Sequence, residues 1–382
     1  MKRPLKQYTR ECGLRNKTQE NIPVYSVTNS HGFVPSTDYF SKEVYSKDLS
    51  NYKIVSRGMI AYNPSRVNVG SLAVQNAEDK VIVSPLYVVF SVDESELMPE
   101  YVSYFLHSER GIKEIVAHTS GSVRDSLKFS ALQDIEINIC SLNEQAHIVS
   151  LLQKIERIIE KRRSVLVKID DLVKSQFIEM FGEIGSDKNG WGIHPLAEYC
   201  DVNPKKGEDT RIRKGMEVSF VPMQSVSEQG DIDASAVRTY EEVQKGFTYF
   251  SEGDVLFAKI TPCMENGKGA IARGLKNSVG FGSTEFHVLR PKAGVCNSEW
   301  IYAITSFPQF RQDAARKMTG SAGQRRVPAS FWASYLVSCP PFELQERFAR
   351  FVEQTDKSKF RIKQSLEKLE TLYKALLQKY FG

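Results

Sequence analysis

The chain has 382 residues and contains no C-x-x-C pair. Its six cysteines (Cys12, Cys140, Cys200, Cys263, Cys296 and Cys339) do not cluster with its six histidines. That pattern argues against a disulfide framework and against a zinc site, and it predicts reduced, mostly buried thiols. No histidine pair has helical metal-ligand spacing, so no metal site is expected. Long apolar runs are also missing. The longest, Val81 to Val92, is interrupted by Ser84 and Pro85 and is far too short to cross a bilayer. The first twenty residues are polar, without the apolar core of a signal peptide. The expectation is a soluble, cytoplasmic protein with no membrane partner.

Catalytic signatures are equally scarce. There is no G-x-x-x-x-G-K-[ST] loop and no G-x-S-x-G. Gly267 to Ala272 fits a loose G-x-G-x-x-A, but Arg273 and Gly274 follow at once and no helix is expected to open there and receive a phosphate. Tyr62-Asn63-Pro64-Ser65 lacks the second proline and the stacking aromatic of the Asn-Pro-Pro-aromatic motif of DNA amino-methyltransferases, and reads as a strand-end turn. No catalytic residue is assigned.

Charge of one sign does not dominate, with 51 Lys and Arg against 46 Asp and Glu giving a net +5. A mildly basic protein suits a polyanionic partner without requiring one. The length predicts two domains, and the 41% apolar share gives each half enough to bury a core.

Glycine and proline are absent from 143–181 and again from 343–381. Each stretch is therefore expected to be one helix, about 58 Å long at about 1.5 Å per residue. In the first, Ile148, Leu152, Ile155, Ile159, Leu166, Ile169 and Val173 follow alternating steps of three and four, interrupted by Arg162 and Gln176. Leu151, Ile158, Val165 and Leu172 are expected to widen that face at steps of seven. In the second, Phe348, Val352, Ile362, Leu366, Leu369, Tyr373 and Leu376 repeat the phase 200 residues on. So long a seam calls for a partner helix, and the other copy is the nearest candidate, giving an intramolecular coiled coil. Ser141-x-x-Glu144 reads as a capping box, Pro340-Pro341 opens the second helix, and Gly182 and Gly382 suit the residue after a helix end.

The repetition extends beyond the helices. Pro99-Glu100-Tyr101-Val102 answers to Ser298-Glu299-Trp300-Ile301, and Thr119-Ser120-Gly121-Ser122 to Met318-Thr319-Gly320-Ser321. The segments around 1–140 and 188–340 read as mixed strand and helix. Strands are expected at Val81 to Phe90 and Gly253 to Phe257, and helices at Glu100 to Ala117 and Ser298 to Lys317. A duplicated globular unit with a long helix implies something done twice.

Two loop positions are basic and amide-bearing in both copies. The first half has Asn63 to Gly70, then Ser120 to Lys128; the second has Lys259 to Lys268, then Thr319 to Arg326. Arginine and lysine suit phosphates and guanine edges, and asparagine and glutamine pair with adenine. Serine and threonine with glycine let the backbone approach closely. The candidate base or groove contacts are Arg66, Asn68, Ser122, Arg124 and Lys128, then Lys259, Asn266, Lys268, Gln324, Arg325 and Arg326. The bland alternative is that such loops are solvated turns. Cations on the helices, such as Lys161, Arg162 and Arg163, read as a solvated face.

With these features together the chain resembles a specificity subunit of a type I restriction–modification system. The segments that carry the likeness are Gln145 to Val149, Ile155 to Arg157 and Ser175 to Gly182. In the second half they are Glu252 to Phe257, Ile260 to Pro262, Glu265 to Gly267 and Gly282 to Phe286. The first half departs from the second, with Ser84-Pro85-Leu86-Tyr87 where Ser283-Thr284-Glu285-Phe286 stands. The resemblance implies an α+β fold of two mixed target-recognition domains, 1–141 and 183–341, and two spacer helices, 142–182 and 342–382. The helices would pair as a long antiparallel coiled coil in a pseudo-two-fold repeat. It implies no enzymatic activity and no cofactor in this chain; S-adenosylmethionine, ATP and magnesium would belong to partners. Those partners would be double-stranded DNA, two modification (methyltransferase) subunits and restriction (translocase and nuclease) subunits. Each domain would read one half of a bipartite, asymmetric target with an unread spacer of roughly 5–8 base pairs. Three alternatives stay open: a coiled-coil docking scaffold, a recognition subunit of a methylation-only complex, and a self-sufficient methyltransferase, for which the repeats leave no room for a cofactor sheet.

Overall fold

The structure is a computed structural model that describes residues 2–29, 31–39, 48–119, 126–321 and 323–382. Two compact units divide the chain: Met1–Arg163 with Lys363–Gly382, and Ser164–Ile362. The long helices run Leu142–Phe181 and Phe342–Phe381, 40 residues each. Each unit thus takes half of both helices, so its boundaries differ from a segmentation that sets the helices apart.

In the first unit, a four-stranded antiparallel sheet is ordered Thr9–Glu11, Val88–Val92, Ile60–Tyr62, Leu72–Val74. Beside it lie the pair Lys53–Ser56 with Lys80–Val83 and the hairpin Tyr25–Thr28 with Gly32–Pro35. The expected single strand from Val81 to Phe90 is therefore two. Pro85 cannot donate to a ladder, and the Tyr87 amide closes a turn onto Ser84. Likewise the expected helix from Glu100 to Ala117 breaks into Pro99–His107 and Glu109–His118, because Ser108 adopts an extended backbone and its hydroxyl caps the second helix at Gly111.

The core of this unit gathers Phe90, Tyr101, Phe105, Leu132 and the helix residues Ile148, Leu152 and Phe381. Here the two helix segments run antiparallel: Tyr373 donates to Glu156 at 2.6 Å, and one turn or two on, Arg163 pairs with Glu370 at 2.6 Å.

The second unit repeats the frame. Its four-stranded antiparallel sheet is ordered Cys200–Val202, Phe286–Pro291, Val255–Ala258, Gly269–Ile271. A further sheet, Val237–Thr239, Glu217–Val221, Val279–Gly282, Thr248–Ser251, contains one parallel pair. Gly282 is required in it, since a Cβ there would meet the Val221 carbonyl at 2.2 Å. The helices are Ser298–Ser306 and Pro308–Lys317, again two where one was expected; Phe307 is extended, as a residue before proline must be. The core collects Phe257, Trp300, Phe310, Trp332, Phe177, Phe181 and Phe348. The helix segments are antiparallel here too, with Phe348 5.6 Å from Phe177 and 5.3 Å from Phe181, and Lys359 2.6 Å from Asp170.

Every seam position is buried or half-buried, with Leu152 and Phe348 fully sequestered. The widening residues are not. Leu151 is half-buried, but Ile158, Val165 and Leu172 are 43%, 42% and 49% exposed. A step of seven cannot tell a seam from a stripe beside it, and two helices bury only one seam each. The capping box forms, Ser141 and Glu144 bonding reciprocally at 3.1 and 3.3 Å. The six cysteines are free, but only Cys200 and Cys296 are buried; the other four are half-buried.

One polar device fixes each helix to its unit. Gln145 is fully buried; its amide accepts from the Met98 N–H at 2.8 Å and donates to the Glu96 and Cys140 carbonyls, both at 2.9 Å. Gln345 does the same with the Asn297 N–H at 3.0 Å and the Val295 and Pro340 carbonyls at 3.0 and 2.8 Å. All four amide valences of a glutamine point one way only when three backbone groups are already in place, so each clamp ties the helix start to the strand–helix loop before it.

Candidate nucleic-acid interface

In the first unit the strand Ile60–Tyr62 ends in the turn 63–70. Arg66 and Asn68 are exposed there and make no side-chain hydrogen bond or ion pair among the described residues. Gly70 ends the short Val67–Val69 helix with φ +95°, a left-handed backbone that favours glycine. The second loop of this unit is stitched to the first: the Leu127 N–H donates to the Pro64 carbonyl at 3.0 Å, and the buried Tyr62 hydroxyl donates to the Leu127 carbonyl at 3.1 Å. Lys128 is exposed next to that joint. Arg66, Asn68 and Lys128 are therefore brought to one place. Ser122 and Arg124 lie outside the described residues.

The second unit joins its loops at the equivalent point. The Val327 N–H donates to the Lys259 carbonyl at 2.9 Å and the Thr261 N–H to the Arg325 carbonyl at 3.0 Å. Buried His287 locks the joint, its Nε2 lying 2.8 Å from the Val327 carbonyl and its Nδ1 3.1 Å from the Asn203 amide. Burial lowers the imidazole's proton affinity, so it stays neutral, donating from Nε2 and accepting at Nδ1.

The named side chains divide here. Asn266 and Gln324 are exposed and without a side-chain partner among the described residues. Lys259 is half-buried. Lys268 reaches the Met223 carbonyl at 3.3 Å. Arg325 donates to the Ala315 and Met318 carbonyls at 3.0 and 3.3 Å, capping the end of Pro308–Lys317. Arg326 forks onto Glu285 with contacts of 2.9 to 3.2 Å, and that guanidinium holds the carboxyl below its ordinary range. For Lys268, Arg325 and Arg326, contact with DNA requires these bonds to be shared or exchanged.

Residues that pattern-reading passed over shape the same surface. Arg311 is buried, stacks 4.5 Å from the Phe257 ring centre, and donates to the carbonyls of Thr305, Met264, Gly267 and Lys268. No carboxylate faces it; desolvation lowers its pKa to about 10, and four carbonyl acceptors hold the charge. It thereby sets the loop that presents Asn266. Exposed Arg238 lies over Phe220, 5.8 Å from the ring, and Phe220 meets the 41% exposed Phe247 edge-on at 5.0 Å. Phe247 precedes Thr248, which pairs with Gly282, three residues before Glu285, so this aromatic patch continues toward Arg326. Between Lys205 and Lys214 five cations fall in ten residues. Arg211 is committed to Asp209 and Ser251, whereas Lys205, Arg213 and Lys214 are exposed. A charge-run scan would have found them; a search restricted to positions basic in both halves could not.

Residues 11–168 match the family model described as the type I restriction modification DNA specificity domain. The chain carries a type I restriction–modification specificity domain. A 196-residue stretch, 50% of the chain, is 36% identical to the type I restriction enzyme EcoAI specificity subunit of Escherichia coli and covers 32% of that protein. Another of 159 residues, 41% of the chain, is 42% identical to the EcoEI specificity subunit of the same organism and covers 26% of it. The chain thus spans about a third or less of the curated relatives it matches.

Solved structures extend the likeness of fold beyond the specificity domain. The type I restriction-modification system S subunit from M. genitalium aligns over 100% of this chain and 96% of its own, with a TM-score of 0.56 at 15% identity. A chain from a structure concerning complex assembly and conformational transition of the type I R-M system aligns over 100% and 97%, with a TM-score of 0.56 at 16% identity. The α+β arrangement of repeated mixed domains and long paired helices is that fold. Among the described residues no helix is long and apolar enough to cross a membrane, and no cluster of three or more His, Cys, Asp or Glu could hold a metal ion.

Proposed function

We propose that this chain chooses the DNA sequence on which a type I restriction–modification complex acts, each unit reading one half of a bipartite target. The observation that carries the reading is the stitched pair of loops in each unit. In both, one backbone joint brings two basic, amide-bearing loops together on a frame clamped to a long helix by a buried glutamine. Arg66, Asn68 and Lys128, with the neighbouring Ser122 and Arg124, serve one half-site. Asn266 and Gln324, with Lys259, Lys268, Arg325 and Arg326 around them, serve the other. Lysines and arginines supply salt-dependent affinity through phosphates, while amides and guanidinia at base edges supply choice. Because the two loop sets differ in sequence, the half-sites differ.

The chain itself carries no catalytic group in this reading. Adenine methylation from S-adenosylmethionine and ATP-driven cleavage belong to modification and restriction subunits, and a methylation-only complex is the same proposal without the latter. The exposed Ile158, Val165 and Leu172, spaced by seven on the first long helix, support docking of the modification subunits there. The test is to map methylated adenines across the genome with and without this gene. A single split motif that vanishes on deletion is expected. An unchanged methylation map, with no salt-sensitive DNA binding when the modification subunits are present, would leave the docking scaffold as the better account.

A further inference from the structure

The repeat is broken at one site, and the break exposes a cleft. In the second unit Arg273 follows the strand Gly269–Ile271 and reaches two carboxylates, bonding Glu299 closely and lying 3.9 Å from Asp356. The backbone fixes its counterpart in the first unit. The Ala272 N–H bonds the Asp254 carbonyl and the Gly253 N–H bonds the Ala272 carbonyl; Gln75, Met59 and Gly58 make the same two bonds, all at 2.8 Å. The residue after Gln75 is Asn76, so Asn76 stands where Arg273 stands. Its amide reaches Glu100, the counterpart of Glu299, at 3.2 Å, and goes no further.

Glu156, the counterpart of Asp356, instead accepts from two phenols, Tyr104 at 2.7 Å and Tyr373 at 2.6 Å. Neither Glu100 nor Glu156 makes an ion pair with a lysine or arginine among the described residues. Glu100, Glu156, Tyr104, Tyr373 and His107 line a cleft of about 440 Å³. Its walls are two carboxylates and two aromatic rings, the surroundings a planar cation prefers.

We propose that this cleft in the first unit is a binding site for a guanidinium group supplied from outside the chain, occupying the place that Arg273 fills in the second unit. The internal arginine shows the geometry: one donor edge on the glutamate of the short helix, the other toward the acid of the long helix. A guanidinium satisfies both carboxylates at once, where a water or a sodium ion leaves the tyrosine faces unused. The source is either an arginine side chain of a polypeptide or a free amine of the agmatine type, and the same chemistry serves both.

The test titrates the full chain with agmatine at low salt by calorimetry. One site per chain is expected, weakened at least tenfold by Glu156→Gln and by Asn76→Arg, which supplies the missing guanidinium from within. Arg273→Asn should open the second cleft and raise the stoichiometry toward two. N-acetyl-arginine methylamide binding as well as agmatine identifies a polypeptide source, and binding of agmatine alone a free amine. No saturable binding to the wild type overturns the inference, as does binding undiminished in Glu156→Gln with its far-UV circular dichroism intact. Neither result bears on DNA recognition.

Discussion

Replacing Gln145 by leucine keeps the side chain's bulk and removes its polar groups, leaving the Met98 N–H and the Glu96 and Cys140 carbonyls without their partner. All three face a side chain with no solvent exposure. A buried group stripped of its hydrogen bond costs about 1–3 kcal/mol, with the amide at the high end and the carbonyls, which have a second lone pair, at the low end. The sum is roughly 3–6 kcal/mol, against about 5–15 kcal/mol for a whole domain. The effect should stay in the first unit, because the second has its own clamp at Gln345.

Hydrogen exchange reads this directly. In Gln145→Leu, amides from Met98 through Phe105 should lose protection by a factor of at least about a hundred, equivalent to roughly 3 kcal/mol. Those from Asn297 through Ile304 should hold theirs, and Gln345→Leu should give the converse pattern. Equal loss in both units, or a loss below about 1 kcal/mol at Met98, would refute the reasoning: the clamp would then be a consequence of packing and not one of its supports.

Acidification should strike the second unit through named groups. The Arg211 guanidinium, with help from Tyr249, holds Asp209 well below the usual carboxylate range, and Arg326 holds Glu285 low in the same way. Depressed carboxyls contribute stability that is present above their unfolded pKa and lost as pH falls through the folded one. Buried His287 has a lowered folded pKa, so its contribution begins to fade below about 6.5, where the unfolded imidazole binds the proton first. Trp191, Trp300 and Trp332 all lie in the second unit, so tryptophan fluorescence should report its acid transition, and Asp209→Asn should make that transition shallower at its acid end. Arg311→Met should free the loop that carries Asn266 and relax one half-site at least tenfold, leaving the other intact; selection from randomised duplexes checks it. Arg66→Ala with Asn68→Ala should cost about 2–6 kcal/mol of discrimination at the other half-site, two base contacts at about 1–3 kcal/mol each, measured as methylation rates on matched and mismatched targets.

The long helices and the repeat were legible because they rest on local rules: forty residues without a helix breaker, a seam at steps of three and four, and a capping box whose partners sit three residues apart. Ile158, Val165 and Leu172 were misread because spacing reports a face, not what covers it. Gln145 and Gln345 marked the start of each repeat, yet their work depends on backbone groups 47 and 48 residues earlier, which no local pattern discloses. The same limit governs the candidate interface. Arg325 and Arg326 look in sequence like free loop cations, and only the fold brings the end of Pro308–Lys317 and Glu285 to them.

Those committed arginines also bear on how such a surface discriminates. A guanidinium already paired with Glu285 must exchange one carboxylate for a base edge, so a wrong base leaves it where it was and gains nothing, whereas free Arg66 finds a phosphate next to any sequence. The first unit, with its unpartnered cation, should therefore hold DNA more tenaciously and less selectively, and the second should supply the sharper choice. Binding measured against half-site mismatches at two salt concentrations separates the two. A steeper salt slope is expected when contacts of the first unit dominate, and a larger mismatch penalty when those of the second do. Equal slopes and equal penalties would show that the Glu285 pairing has no part in selection.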